Sequence, residues 1–422
     1  MDFSLNKEYA IGLDREDPLA EFRQRFVIDE PDLIYLDGNS LGRLPKASQK
    51  YVQDVINHEW GQRLIRGWNE GWYESPSRIG SKLAKLLGAN EDEVLIADST
   101  SINLFKLVIA ALKNQSGRKK ILTDNLNFPS DVYILRSAIQ SMGDHHELQI
   151  ISSEDEIHGP VEKLQNAMDS DTALVTLCHA VFKSAYIYDV KSLTQIAKQN
   201  GALTLWDFSH TVGAVPIHLN DWEVDLAVGS TYKYLNGGPG SPAFLYIRKE
   251  LQQNLENPIS GWFGHEQPFK FDLEFKPAET IRRFLTGTPS ILSLAAIEPA
   301  IDLINQAGIE RIRDKSIKQV QYLIYLFKEI LQPLGFFLKS PTEPNHLGSH
   351  ISLSHEQASR ICRALIEAKN VIVDFRKPDN IRLGVSPLYT SYLELFEAVM
   401  RMKEVMVDSL YQNYSMKSFA VT

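Results

Sequence analysis

Between residues 94 and 229 the sequence alternates short apolar runs with amphipathic stretches, and this rhythm constrains the fold more than any other feature. The runs at 94–97, 120–123, 149–152, 173–177, 203–207 and 226–229 have the length of strands. The stretches at 102–113, 130–140, 161–168 and 190–199 space their apolar residues as helices do. Strands that alternate with helices build a mostly parallel sheet covered on both faces, because parallel neighbours need a crossover between them. Such sheets bind ligands beyond the carboxyl ends of their strands. The residues that close each run are therefore the ones to read for chemistry.

After Pro289 the rhythm changes. Residues 291–306 and 309–331 read as helices separated by Gly308, a residue suited to a helix end. Shorter strands at 336–338, 350–353, 371–375 and 381–383 follow, with helices at 356–368 and 392–407. A chain of 422 residues exceeds what one small core supports. The expected fold is α/β, with a large domain over 46–290 and a smaller α+β domain over 291–422. A net charge of -9 argues against a general affinity for nucleic acid. Two cysteines, Cys178 and Cys362, exclude a disulfide framework and a thiolate zinc centre, and no metal site is expected. No run approaches the ~18 uninterrupted apolar residues of a membrane span. The start, from Met1 to Lys7, lacks a basic segment followed by an apolar one. A cytoplasmic protein without membrane or nucleic-acid partners is the expectation.

Two strand ends carry the most chemistry. The run 203–207 closes on Asp207, with His210 three residues on. The run 226–229 leads into Ser230-Thr231-Tyr232-Lys233 and then the glycines Gly237, Gly238 and Gly240. Alone, each residue has an ordinary reading: aspartates close turns, and single lysines sit on surfaces. As a pair they match what pyridoxal phosphate requires, a lysine for a Schiff base and an acid for the pyridine nitrogen. A third segment, Asp98-Ser99-Thr100-Ser101, follows a strand and opens a helix. Amides at a helix start, with hydroxyls added, suit a phosphate.

An aspartate followed by Ser-x-x-Lys, each at a strand end, resembles the fold-type-I pyridoxal-phosphate enzymes, and most of all their aminotransferase class V branch. Further segments resemble the kynureninase family: Gly38-Asn39-Ser40-Leu41-Gly42, Phe128-Pro129-Ser130-Asp131, Trp206-Asp207-Phe208-Ser209-His210, Thr231-Tyr232-Lys233-Tyr234-Leu235-Asn236, Gly261-Trp262-Phe263-Gly264-His265, and Arg382-Leu383-Gly384 running on to Tyr389. The resemblance covers nearly the whole chain. It implies hydrolytic Cβ–Cγ cleavage of kynurenine or 3-hydroxykynurenine to anthranilate or 3-hydroxyanthranilate, with alanine. It also implies a homodimer with shared sites, and that residues 1–45 pack with the smaller domain.

Carried over by residue, the family's roles are these. Lys233 is the Schiff-base lysine, and Tyr232 reaches the phosphate and relays protons. Thr100, Ser101, Pro129 and Ser130 lie at the phosphate and ring, Phe128 stacks on the ring, and Asp131 lies beside it. Asp207 pairs with the pyridine nitrogen, with His210 in the same shell. Trp262 and Thr288 reach the cofactor from the second subunit, and Thr288 also borders the substrate. Arg382 receives the substrate α-carboxylate, with Ser40 close by, and Trp68 forms a wall for the aryl ring. The chain departs from the family where Cys178 stands at a position often held by a hydroxyl, and where Val181 and Ala185 interrupt its usual pattern. A thiol is a weak donor, which puts that cofactor contact in question. The rival readings are a cysteine desulfurase or selenocysteine lyase, another class V aminotransferase or β-lyase, and a cofactor-binding scaffold without catalysis.

Overall fold

The computed structural model describes residues 3–416; expectations that touch Met1, Asp2 and 417–422 lie outside the described residues. The chain opens with helix α1 (Lys7–Arg15), capped by the Asn6 side chain, and the short strand β1 (Ile34–Tyr35). Helices α2 (Lys46–Asp54) and α3 (Ser75–Leu87) follow. The alternating stretch comprises β2 (Val94–Ala97), α4 (Thr100–Asn114), β3 (Lys120–Asp124), α5 (Pro129–Ser141), β4 (Glu147–Ile151), α6 (Val161–Ala167), β5 (Thr172–Cys178), α7 (Val190–Gln199), β6 (Leu203–Asp207), β7 (Leu226–Gly229) and β8 (Ala243–Ile247).

These strands form one 7-stranded sheet in the order β2-β8-β7-β6-β5-β3-β4. Only β8 runs against its neighbours, so the sheet is mostly parallel, as the alternation requires. The apolar-run reading omits β8. Ala243–Ile247 is apolar throughout, but it follows a glycine- and proline-rich turn that signals loop. β4 begins at Glu147, earlier than its expected start, because an edge strand is only half covered and its apolar signal is weak.

The remainder comprises α8 (Ile291–Ala307), α9 (Ile309–Leu326), β9 (Phe337–Leu338), β10 (His350–Ser354), α10 (Ala358–Lys369), β11 (Val371–Ile372), β12 (Asp374–Arg376), β13 (Asn380–Gly384) and α11 (Tyr392–Val407). A 4-stranded antiparallel sheet has the order β12-β13-β10-β9. The single strand expected over 371–375 is two. Residues before Val373 pair in parallel with β1, and those after it pair with β13.

Among the described residues, three large apolar cores and one small cluster result. One lies under the large sheet and includes Leu83, Trp206 and Tyr246 together with Leu294, Ile297 and Ile301 of α8. A second joins Leu13, Ile34 and Leu36 to Val320, Leu353, Leu383 and Leu395. The third covers the other face of the large sheet, with Leu104, Leu107 and Val108 of α4 on Leu95, Leu205 and Val228. Because α8 packs on α2 and α3, the chain passes between the first two cores inside α9, after Ile312 and before Val320, rather than near residue 290. The amino-terminal segment bridges these two: Leu19, Phe22 and Phe26 belong to the first core, Ala10 and Leu13 to the second. Pairing of β1 with β11 then delivers residues 37–42 to the end of the large sheet, where the Gly42 amide donates to the Tyr232 carbonyl at 2.8 Å.

Candidate active site

β5 and β6 lie side by side in parallel register, with Cys178 beside Asp207 at their carboxyl ends. Asp131, in the first turn of α5, faces the same point. Its carboxylate, the Cys178 thiol and the Asp207 carboxylate lie within 4.8 Å of one another, all buried. Lys233 follows β7, the next strand, and its Nζ stands 5.7 Å from the centroid of the Tyr232 ring. The chemistry thus gathers beyond the carboxyl ends of parallel strands, where the topology rule places it.

Electrostatics assigns the protons. Burial pushes Asp131 far above the ordinary carboxylate range, and the Asp207 charge adds to this. Burial raises Asp207 too, but Lys233 and the Ser209 donors oppose the shift. Two close carboxylates cannot both ionise cheaply in a buried site, and the stronger upward push falls on Asp131. Burial pulls Lys233 down to about 8, against the upward pull of Asp207 and with the help of Arg382. Its amine is therefore available near neutral pH. His210 is buried and held neutral, by desolvation and then by Lys233 and Arg382. The His350 ring lies 6.2 Å from that of His210 and is neutral for the same first reason, pulled down to about 3.

A buried carboxylate needs a compensating partner. Asp207 accepts from the Ser209 amide at 2.7 Å and faces Lys233. A pyridinium N–H fits that place, since it brings a positive charge and a donor together. The phosphate has a matching cradle between two helix starts. Ser99 caps α4, Thr100 and Ser101 open it, and the Ser101 and Ser130 hydroxyls lie 3.3 Å apart where α5 begins. Pro129, at the first position of α5, has the backbone angle a helix start wants and no amide to waste. Phe128 just precedes it, partly exposed, with its ring edge-on to Phe182 at 5.3 Å. These residues fit pyridoxal phosphate.

Arg382 is buried on β13. Its Nε donates to Asp374 at 2.6 Å, Nη1 to the Phe182 carbonyl at 2.5 Å, and Nη2 to both Asp374 and Ser40 Oγ, the latter at 3.1 Å. Ser40 and Arg382 are therefore brought together, and Arg382 acts electrically on Lys233, His210 and His350. Trp68 and Trp262 lie elsewhere, while Thr288 lies beside the start of α4. Trp68 packs on Phe263 at 5.5 Å, and Trp262 meets the same ring at 4.4 Å while remaining 40% exposed. Thr288 lines a cavity of about 310 Å³ with Asp98, Ser99 and Gly240. Among the described residues, no hydrogen bond, ion pair or ring contact joins Trp68, Trp262 or Thr288 to Lys233 or Asp207.

The departures have local consequences. The Cys178 thiol donates to Asn127 Oδ1 at 2.6 Å and lies 3.8 Å from Asp131. Burial and the two aspartates push the thiol well up, so it stays protonated. Ala185 adopts φ 65, the left-handed conformation glycine prefers, and keeps the turn: its amide donates to the Val181 carbonyl at 2.9 Å. Cys362 is buried in α10 and likewise held as a thiol. Both cysteines are thus buried, protonated thiols, poorly suited to act as nucleophiles. Sequence reading missed Asn127, His350 and Asp374. Asn127 directly precedes Phe128 and was within reach; the other two matter only through strand register.

Residues 34–374 match the aminotransferase class-V family. The chain is 41% identical over 405 residues to a kynureninase of Burkholderia mallei (strain SAVP1), covering 95% of each. It is 40% identical over 401 residues to a kynureninase of Pseudomonas fluorescens, covering 94% of each. Among solved structures, a cysteine desulfurase from Thermococcus onnurineus superposes with a TM-score of 0.76 at 20% identity, over 94% of this chain and 98% of that one. A cystine C–S lyase superposes with a TM-score of 0.78 at 16% identity, over 89% and 98%. At such identities the structural likeness speaks for the fold alone.

Proposed function

The chain belongs to the kynureninase family, within the class-V aminotransferases, and from that premise we propose the residues that carry its reaction. The activity is pyridoxal-phosphate-dependent hydrolysis of a carbon–carbon bond in a ketonic amino acid: kynurenine and water yield anthranilate and alanine. The observation that carries the assignment of roles is the buried trio of Asp207, Asp131 and Cys178 at the strand ends, with the partly buried Lys233 acting on all three.

When bound, the cofactor is an electron sink that lets carbons of the substrate carry negative charge. Asp207, kept anionic, holds the pyridine nitrogen protonated. Lys233 would be the residue that holds the cofactor covalently through Nζ, and its free amine would be the base placed to take the substrate α-proton. Its lowered pKa suits both tasks. The amides and hydroxyls of Thr100, Ser101 and Ser130 hold the phosphate, and Phe128 covers the ring. Asp131 sits beside the ring as a neutral acid. Arg382 and Ser40 bind the substrate α-carboxylate, because a guanidinium pairs with a carboxylate through parallel charge-assisted bonds. Water adds to the γ-carbonyl, and anthranilate leaves as the Cβ–Cγ bond breaks. Tyr232, next to Lys233, supplies the proton to the β-carbon.

We also propose a homodimer in which Trp262 and Thr288 serve the partner's site, with Trp68 beside the aryl ring. Support comes from the exposed apolar side chains Trp262, Phe269, Phe271 and Leu273, an unusual cluster for a free surface. No helix of the described residues is long and apolar enough to cross a membrane; a cytoplasmic location is our reading. The lysine assignment is tested by reducing the loaded enzyme with borohydride and mapping the modified peptide. The cofactor should be fixed to Lys233. Its appearance on another lysine would refute the assignment.

A further inference from the structure

We propose that Asp374 is the positioning residue for substrate recognition: it holds one edge of the Arg382 guanidinium and so reserves the other edge for the substrate α-carboxylate. This rests on the reading of Arg382 as the carboxylate receptor. The juxtaposition comes from sheet register, since Asp374 on β12 lies directly opposite Arg382 on β13. Both side chains are almost wholly buried. Asp374 Oδ2 accepts from Nε at 2.6 Å and from Nη2, while Oδ1 faces Nη1 of Arg376 at 2.6 Å. Arg376 is one-third exposed and braces the carboxylate from its far side.

The two edges of the guanidinium are thus unequal. The Nε edge meets an ionised group. The Nη1/Nη2 edge meets neutral acceptors, the Phe182 carbonyl at 2.5 Å and the Ser40 hydroxyl at 3.1 Å. Bonds to an ionised acceptor are roughly twice as strong as neutral ones. An arriving carboxylate therefore exchanges with Phe182 and Ser40, not with Asp374. Without Asp374, Arg382 would be free to turn about its long side chain and to present its fork in several directions. Geometric selection of this kind acts on substrate binding before it acts on bond breaking.

The test compares D374N, D374E, R382A and the double variant D374N/R382A as cofactor-loaded enzymes, each confirmed folded by thermal unfolding. Steady-state constants for kynurenine are measured beside inhibition by the analogue that lacks only the α-carboxylate. D374N should raise KM about tenfold, change kcat less than about threefold, and leave inhibition by the carboxylate-free analogue unaltered. Added to R382A, it should have no further effect on KM. Removing one member of a buried ion pair is strongly destabilising, so D374E decides if D374N does not fold. Glutamate keeps the charge but moves it by one methylene, and KM should rise several-fold. An unchanged KM in folded D374N or D374E overturns the proposal, as does an equal loss with the carboxylate-free analogue. Full additivity on R382A overturns it while leaving the Arg382 reading intact. An R382A enzyme with normal KM overturns both.

Discussion

Gly42→Ala is a small change far from the reacting atoms in sequence, yet it should disable the enzyme. A Cβ at position 42 would stand 2.4 Å from the Lys233 carbonyl, 2.3 Å from Asn236 Oδ1 and 2.8 Å from Asn236 Cα. Ordinary contact begins at 3.4 Å, so the shortfall against the Lys233 backbone is about 1 Å. Backbone cannot rotate away as a side chain can. Either the 37–42 segment lifts, losing the 2.8 Å bond from the Gly42 amide to the Tyr232 carbonyl, or the lysine loop moves by a similar distance. Overpacking of this kind costs about 1–3 kcal/mol of stability. A misplacement of about 1 Å at reacting groups costs roughly a hundredfold in rate. The assay is kcat/KM for kynurenine with saturating cofactor, together with the visible absorbance of the loaded enzyme. We expect a folded protein with a loss near a hundredfold. Wild-type kcat/KM in Gly42→Ala would refute the claim that this segment sets the position of Lys233.

Gly12→Ala is the matching control: the position lies within α1 with nothing within 4 Å of the added carbon, so a gain of about 0.5–1 kcal/mol in denaturant titration and unchanged activity are expected. Loading of apoenzyme with pyridoxal phosphate should accelerate about tenfold per pH unit below pH 8 and level off above it, because only the neutral Lys233 amine reacts and burial has brought it to about 8; stopped-flow absorbance showing an inflection at an ordinary lysine value would contradict this. Arg382→Ala should lose about 3 kcal/mol of transition-state stabilisation, roughly a hundredfold in kcat/KM, with cofactor absorbance intact. Arg382→Lys should remain impaired, since it keeps the charge but not the fork; normal kinetics in either variant would make Arg382 structural.

What could be read from the sequence was local. Asp207 and Lys233 stand at the ends of apolar runs, and strand ends are where this kind of sheet does chemistry. Their meeting with Asp131 and Cys178 follows from strand order and register, which spacing alone does not reveal. Asp374 shows the limit most clearly. In the sequence it is one acid in an apolar strand, and its bond to Arg382 exists only because 371–375 divides between two sheets. The passage between the first two cores inside α9 is hidden for a related reason. α8 reads as the first helix of a new unit, but its apolar face is complementary to α2 and α3, which lie far back in the chain. The segment over 3–45 bridges two of the cores because its apolar residues are divided between them, a partition that no periodicity announces.

The most direct measurement follows anthranilate fluorescence as purified, cofactor-loaded enzyme is mixed with kynurenine, with alanine quantified in the same samples. Anthranilate and alanine should appear in equal amounts, formed catalytically by the wild-type protein and not by Lys233→Ala. Release of an amino acid without anthranilate, or undiminished turnover by Lys233→Ala, would contradict this.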